Sequence, residues 1–191
     1  MSRTITHRYR DPLDEIWLSV AASLGITVER SAEVFAAWDG CGTLTLSSDE
    51  HFDADDSLAQ MIFHEICHAL TEGEEAIGQV DWGLENTDES DLVREYACIR
   101  LQAALAEGHG LRGFFAPTTD HRPYFDALDD DVLAGEDPAA VIARSAWPRA
   151  TEGPWAMAVE RALKATRRIA DIAGEFADDA SLWWVAQAPK R

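Results

Sequence analysis

The sequence predicts an α+β fold, and three observations lead there. Apolar residues recur at helical spacing, with capping residues in place, from residue 11 into the C-terminal third. Residues 26–47 alternate instead in the manner of short strands around a glycine-rich turn. Between these strands and the C-terminal helices lie two further helical segments, and these carry histidines and carboxylates.

Taken in order, Asp11-Pro12 opens the first helix as N-cap and first-turn proline. Leu13, Ile16, Trp17, Val20, Ala21 and Leu24 form its apolar stripe, and Gly25 closes it. Residues 26–30 and 33–38 read as strands. Asp39-Gly40-Cys41-Gly42 reads as a hairpin turn into a third strand, Thr43 to Ser47. A helix then covers residues 55–70, capped by Asp55 or Asp56 and ended by Gly73. The next helix starts at Thr87 or Asp88 and runs to about Glu107, where Gly108 and Gly110 end it. Beyond it, Asp137-Pro138 begins a short helix through about Arg144, and residues 151–174 read as a long one. Ser181 to Val185 docks the tail onto the body. The connections at 73–87 and 108–124 are long and rich in glycine, and loops of that length inside a compact domain are often functional; both are expected to border a cleft.

The chemistry is concentrated in the 55–70 helix, which contains His64-Glu65-Ile66-Cys67-His68. Residues four apart share a helix face, so the two imidazoles can hold one metal ion, and Glu65 stands beside them where a general base is needed. Leu58, Ile62, Phe63, Ile66, Ala69 and Leu70 form the packing face, and the histidines project from roughly the opposite side. An ordinary amphipathic helix with two solvated histidines would not require the intervening glutamate. A catalytic zinc takes three protein ligands and keeps one position for water. The third ligand is sought on the following helix. Asp88, Glu89 and Asp91 sit in its first turn, where the helix dipole already accounts for carboxylates. Glu95 lies past that turn among Leu92, Val93, Tyr96 and Ala97, and neither Arg94 nor Arg100 is at helical pairing distance. Glu95 is the first choice, with Glu89 and Asp91 behind it. The expected site is therefore zinc held by His64, His68 and Glu95, with Glu65 as catalytic base.

At this point the chain resembles a known family. His64-Glu65-x-x-His68 followed by Arg94-Glu95-Tyr96-Ala97 is similar to the gluzincin branch of the HExxH zinc metallopeptidases, and within it to the ImmA/IrrE-type bacterial group. The resemblance covers about residues 10–108. It departs from that group at Ile66-Cys67, in the residues after Glu95, and in having no recognisable helix-turn-helix. It implies a minimal zincin-like domain over residues 1–124, comprising an N-terminal helix, a small mixed sheet, the HExxH helix and a glutamate helix. Residues 125–191 would form a helical extension packed on that domain. It also implies that the strand from Thr43 to Ser47 takes the place of the zincin edge strand, where an extended peptide substrate would add by main-chain pairing. Glu65 would take a proton from water and pass it to the leaving amine. His109, His121 and Tyr124 are alternatives for holding the developing oxyanion, and spacing does not choose among them. The competing expectation is a catalytically silent protein of the same fold that acts as a binding or regulatory module.

Composition narrows the partners. Sixteen Lys and Arg against 35 Asp and Glu give a net charge of −19. Phosphate contacts need clustered cations, so nucleic acid is not an expected partner, nor is an anionic membrane surface. The surplus acid is read first as a solubilising surface and second as an attraction for cationic peptides. Three cysteines, Cys41, Cys67 and Cys98, without a paired spacing suggest free thiols in a reducing compartment. Together with an N-terminal stretch that lacks an apolar core, they point to a cytoplasmic protein with a peptide or protein substrate.

Overall fold

The computed structural model describes residues 4–85 and 89–187. Seven α-helices and a three-stranded sheet make up the regular structure among these residues. The class is α+β, as expected. Helix α1 spans Pro12–Ser23, with the Asp11 carboxylate accepting from the Leu13 amide at 2.8 Å. Strands β1 (Thr27–Ser31), β2 (Ala36–Trp38) and β3 (Thr43–Ser47) follow. The second is half the expected length.

Strand order corrects the sequence reading. β3 runs parallel to β1 and antiparallel to β2, so the order is β1-β3-β2. The strand from Thr43 to Ser47 is therefore central, with both edges filled, and it cannot receive a substrate strand. The open edge near the histidines belongs to β2. The β2–β3 turn is held by Asp39, whose Oδ1 accepts from the amides of Cys41 and Thr43. Gly40 in that turn has φ +72, and a Cβ there would lie 3.1 Å from the Gly78 carbonyl oxygen, so this position requires glycine.

Helix α2 spans Leu58–Glu72. Its cap is Ser57, whose hydroxyl accepts from the Gln60 amide, and not Asp55 or Asp56. At the other end, Arg149 from a distant helix donates to the carbonyls of Leu70 and Thr71, at 2.8 and 2.9 Å. A cation there also meets the favourable end of the helix dipole. Helix α3 spans Glu89–Glu107 and packs on α2; the expected caps Thr87 and Asp88 lie outside the described residues. A short α4 (Arg122–Asp126) leads to α5 (Pro138–Glu152), α6 (Ala156–Ala173) and α7 (Leu182–Val185). α5 runs two turns past its expected end, through Pro148, and α6 starts at Ala156 and not at Thr151. The extension is favoured by burial of Ala146 and Ala150 and by the Arg149 contacts, none of which is local in sequence.

The core joins α1, α2, the sheet and the C-terminal helices in one apolar cluster. Trp17, Phe63 and Phe115 pack around one another at centroid distances of 4.9–5.5 Å. The Trp17 indole donates to the Thr166 hydroxyl at 3.0 Å, which ties α1 to α6 with a satisfied buried polar group. α2 is thus covered on nearly every side. No helix among the described residues is long and apolar enough to cross a membrane.

Candidate metal centre

Helical spacing brings His64 and His68 together with their Nε2 atoms 3.0 Å apart and their rings perpendicular. α3 lies across them and supplies Glu95. Its Oε2 is 3.0 Å from His68 Nε2 and its Oε1 3.5 Å from His64 Nε2. Two imidazole nitrogens and the two oxygens of one carboxylate thus converge, with the nitrogens 3.0 Å apart and each 3.0–3.5 Å from a Glu95 oxygen. The edge of a tetrahedron with zinc–ligand bonds of about 2.0–2.1 Å is roughly 3.3–3.4 Å. The donor set and its spacing fit a zinc ion.

The tautomer of His64 is settled by Gln102. The Gln102 amide nitrogen donates to the Phe115 carbonyl at 2.6 Å, so its Oε1 faces His64 and must accept from Nδ1–H, at 2.8 Å. The lone pair of His64 is therefore on Nε2, toward Glu95 and His68. Such an outer hydrogen bond is what orients metal-binding histidines. His68 Nδ1 is buried without a partner, as is Glu72 Oε1 one turn further along α2. The Glu72 side chain is ion-paired to Arg94, so Arg94 is not a competitor for Glu95.

His68 and Glu95 act on each other's ionisation. Burial alone would lower the pKa of His68, but the Glu95 hydrogen bond and charge, followed by Glu65 and Glu72, push it up to about 9. Burial would raise Glu95, but His64 and His68 hold it at about 2. His68 is only 5% exposed, so the side of α2 opposite its apolar face is itself covered, by α3 and the connection before it.

Cys98 is a second neighbour of the histidines. His64, His68 and Cys98 offer ligand atoms within 4.8 Å of one another. The sulfur, however, lies 3.8 Å from His64 Nδ1 and 3.5 Å from the His64 carbonyl oxygen, on the ring edge already used by Gln102. Burial also pushes the thiol up, with Cys67 and the nearby carboxylates adding to it, which keeps it protonated. Glu95, facing the Nε2 atoms, is better placed than Cys98 to serve as a third donor.

Beside these residues is a cleft of about 340 Å³. Glu65 lines it and is 7% exposed, with Oε2 accepting from the Trp82 indole at 2.8 Å. Phe35, Ala36 and Ala37 of the β2 edge form one wall. The 73–87 connection contributes Asp81, Trp82 and Leu84, and the 108–124 segment contributes residues from Ala116 to Thr119 together with His121. No lysine or arginine lines it among the described residues.

The three oxyanion alternatives separate cleanly. His121 borders the cleft near Glu95, whose carboxylate it helps to hold ionised. The Tyr124 hydroxyl is taken by Arg100 at 2.6 Å, and its ring stacks on Tyr96 outside the cleft. His109 pairs with Glu160 at 2.8 Å, away from the cleft. The side chain of Glu89 lies outside the described residues. Asp91 accepts from the Glu85 amide and does not reach the cleft. Sequence reasoning missed Gln102 and Trp82. Trp82 carried a signal, as the one aromatic residue in a glycine-rich, acidic connection; Gln102 carried none.

Compared with known proteins, the chain matches no family model, and no curated protein or solved structure is significantly similar to it.

Proposed function

We propose that this chain is a zinc-dependent peptidase in which His64, His68 and Glu95 hold the metal and Glu65 is the general base. The observation that carries the reading is the convergence of His64 Nε2, His68 Nε2 and Glu95 at 3.0–3.5 Å on the wall of an open cleft, with the Glu65 carboxylate lining the same cleft. A purely structural metal site needs neither the base nor the cleft.

Bound zinc would supply Lewis acidity, lowering the pKa of water toward neutrality and polarising the scissile carbonyl. Glu65 takes the proton on the oxygen that Trp82 leaves free and delivers it to the departing amine. His121, on the cleft wall, donates to the oxyanion as it develops. The substrate lies extended along β2. Phe35 and Asp39 direct their main-chain groups at β3, so alternation turns those of Ala36 and Trp38 outward. The Trp38 amide is already bound by Asp81 at 2.9 Å, which leaves Ala36 as the open part of the edge. A peptide therefore adds over a short register. Among the described residues the cleft has no lysine or arginine to bind a terminal carboxylate, which favours cleavage within a chain or near its amino end.

The test is elemental analysis of protein purified without added metal, paired with cleavage of a peptide library. The expected result is about one zinc per chain. Glu65→Gln should keep the zinc and lose hydrolysis. Metal-free protein, or full activity in that variant, would refute the proposal.

A further inference from the structure

We propose that Trp82 is the positioning residue of the general base: its indole N–H fixes one oxygen of Glu65 so that the other is left for the reacting water. This rests on the reading of Glu65 as base. The Nε1–Oε2 distance is 2.8 Å, and both residues are buried, Trp82 to 4% exposure. A hydrogen bond to a buried carboxylate is short, strong and directional. It removes the rotational freedom that a glutamate otherwise has about its last bond. The second oxygen, Oε1, has no protein partner among the described residues and belongs to a side chain that lines the cleft.

The backbone shows that this placement is built and not incidental. Asp81 (φ 47, ψ 39) and Trp82 (φ 58, ψ 19) are consecutive residues in the left-handed region, and neither is glycine. For a bulky side chain that conformation is a true outlier and persists only where the surroundings over-determine it. They do so from three directions. Asp81 Oδ1 accepts from the Trp38 amide at 2.9 Å. The Trp82 ring stacks on Trp38 with centroids 4.4 Å apart and planes within 8°. The Trp38 indole in turn donates to the Ile77 carbonyl at 2.8 Å. A tryptophan serving only as filler could pack in a relaxed conformation with its N–H toward solvent. Here one strained turn aims an acceptor at β2 and a donor at the base, so the edge that receives substrate and the group that activates water share one support.

The test uses Trp82→Phe, which keeps an aromatic ring against Trp38 and removes the donor together with part of the ring volume. Zinc content and the far-ultraviolet circular dichroism are expected to match the wild type. Per zinc-loaded molecule, kcat should fall about 10- to 100-fold with KM within about 2-fold, because the base is misaligned while the binding edge remains. A role in packing alone would lower thermal stability and leave kcat per loaded molecule unchanged, and that result would overturn the proposal. A second measurement needs no activity. In the 1H–15N spectrum of the zinc-loaded protein, the Trp82 indole resonance is identified by its through-space correlations to the stacked Trp38 ring. It should move upfield in Glu65→Gln, where a neutral amide replaces the carboxylate. An unmoved resonance would show that the bond is absent in solution and overturn the proposal even if Trp82→Phe fails to fold. A moved resonance in a wild-type chain that cleaves nothing would instead refute Glu65 as a base and leave the bond standing, so the two failures are distinguishable.

Discussion

Replacing Gln102 by Met removes two hydrogen bonds at one position of similar volume. His64 Nδ1–H loses its acceptor and the Phe115 carbonyl loses its donor. Phe115 is fully buried, and the His64 side chain is 21% exposed, so water does not replace the first partner and replaces the second only in part. Each orphaned group costs about 1–3 kcal/mol; with the His64 loss at the lower end, the total is about 2–4 kcal/mol. Unfolding entropy of about 2.1 cal/mol/K per residue gives roughly 0.4 kcal/mol/K for a chain of this size, so the zinc-free protein should melt about 5–10 °C lower. Loss of the outer hydrogen bond should also weaken zinc binding about 10- to 100-fold. Thermal melts in chelator and competition against a chromophoric chelator read the two effects separately. Gln102→Glu divides them further: a carboxylate still accepts from His64 but cannot donate to Phe115. It should melt low while binding zinc nearly as well as wild type. If Gln102→Met binds zinc with unchanged affinity, the tautomer argument for His64 fails, whatever happens to the melt.

Two further expectations follow from the site. His121→Ala should lower kcat about 10²- to 10³-fold with zinc retained, as expected for loss of an oxyanion donor. Tyr124→Phe and His109→Ala should stay within about 3-fold of wild type, and a larger loss from either than from His121 would reverse the assignment. In zinc-free protein, stability should follow the His68–Glu95 pair. His68 is raised from 6.5 to about 9, so its contribution is complete below pH 6.5 and lost as pH rises through 9. Glu95 is lowered from 4.5 to about 2, so its contribution is present above pH 4.5 and lost as pH falls through 2. Melts in chelator should therefore show this contribution at its fullest between pH 4.5 and 6.5. Swapping in Glu95→Gln should flatten both limbs, and unchanged limbs would show that the pair does not govern them.

What the sequence by itself determined is local. The i,i+4 relation of His64 and His68 follows from helix geometry. Glu95 stood out because a carboxylate past the first turn and among apolar neighbours lacks a reason, and the three side chains do converge. Asp11, Gly73 and the Asp39 turn are punctuation that acts within a few residues of chain. The tertiary structure decided what depends on partners far along the chain. Strand order put β3 at the centre of the sheet and gave the open edge to β2, because β1 pairs with β3 across the intervening hairpin arm. α5 continued through Pro148 because Arg149 had α2's terminal carbonyls to bind. Gln102 acquired a role only through His64, 38 residues away, and Trp82 only through Glu65, 17 residues away. Periodicity and capping are short-range and can be read from the order of residues. A hydrogen bond between a loop indole and a buried carboxylate arises only once packing has excluded water and left each group the other as its partner.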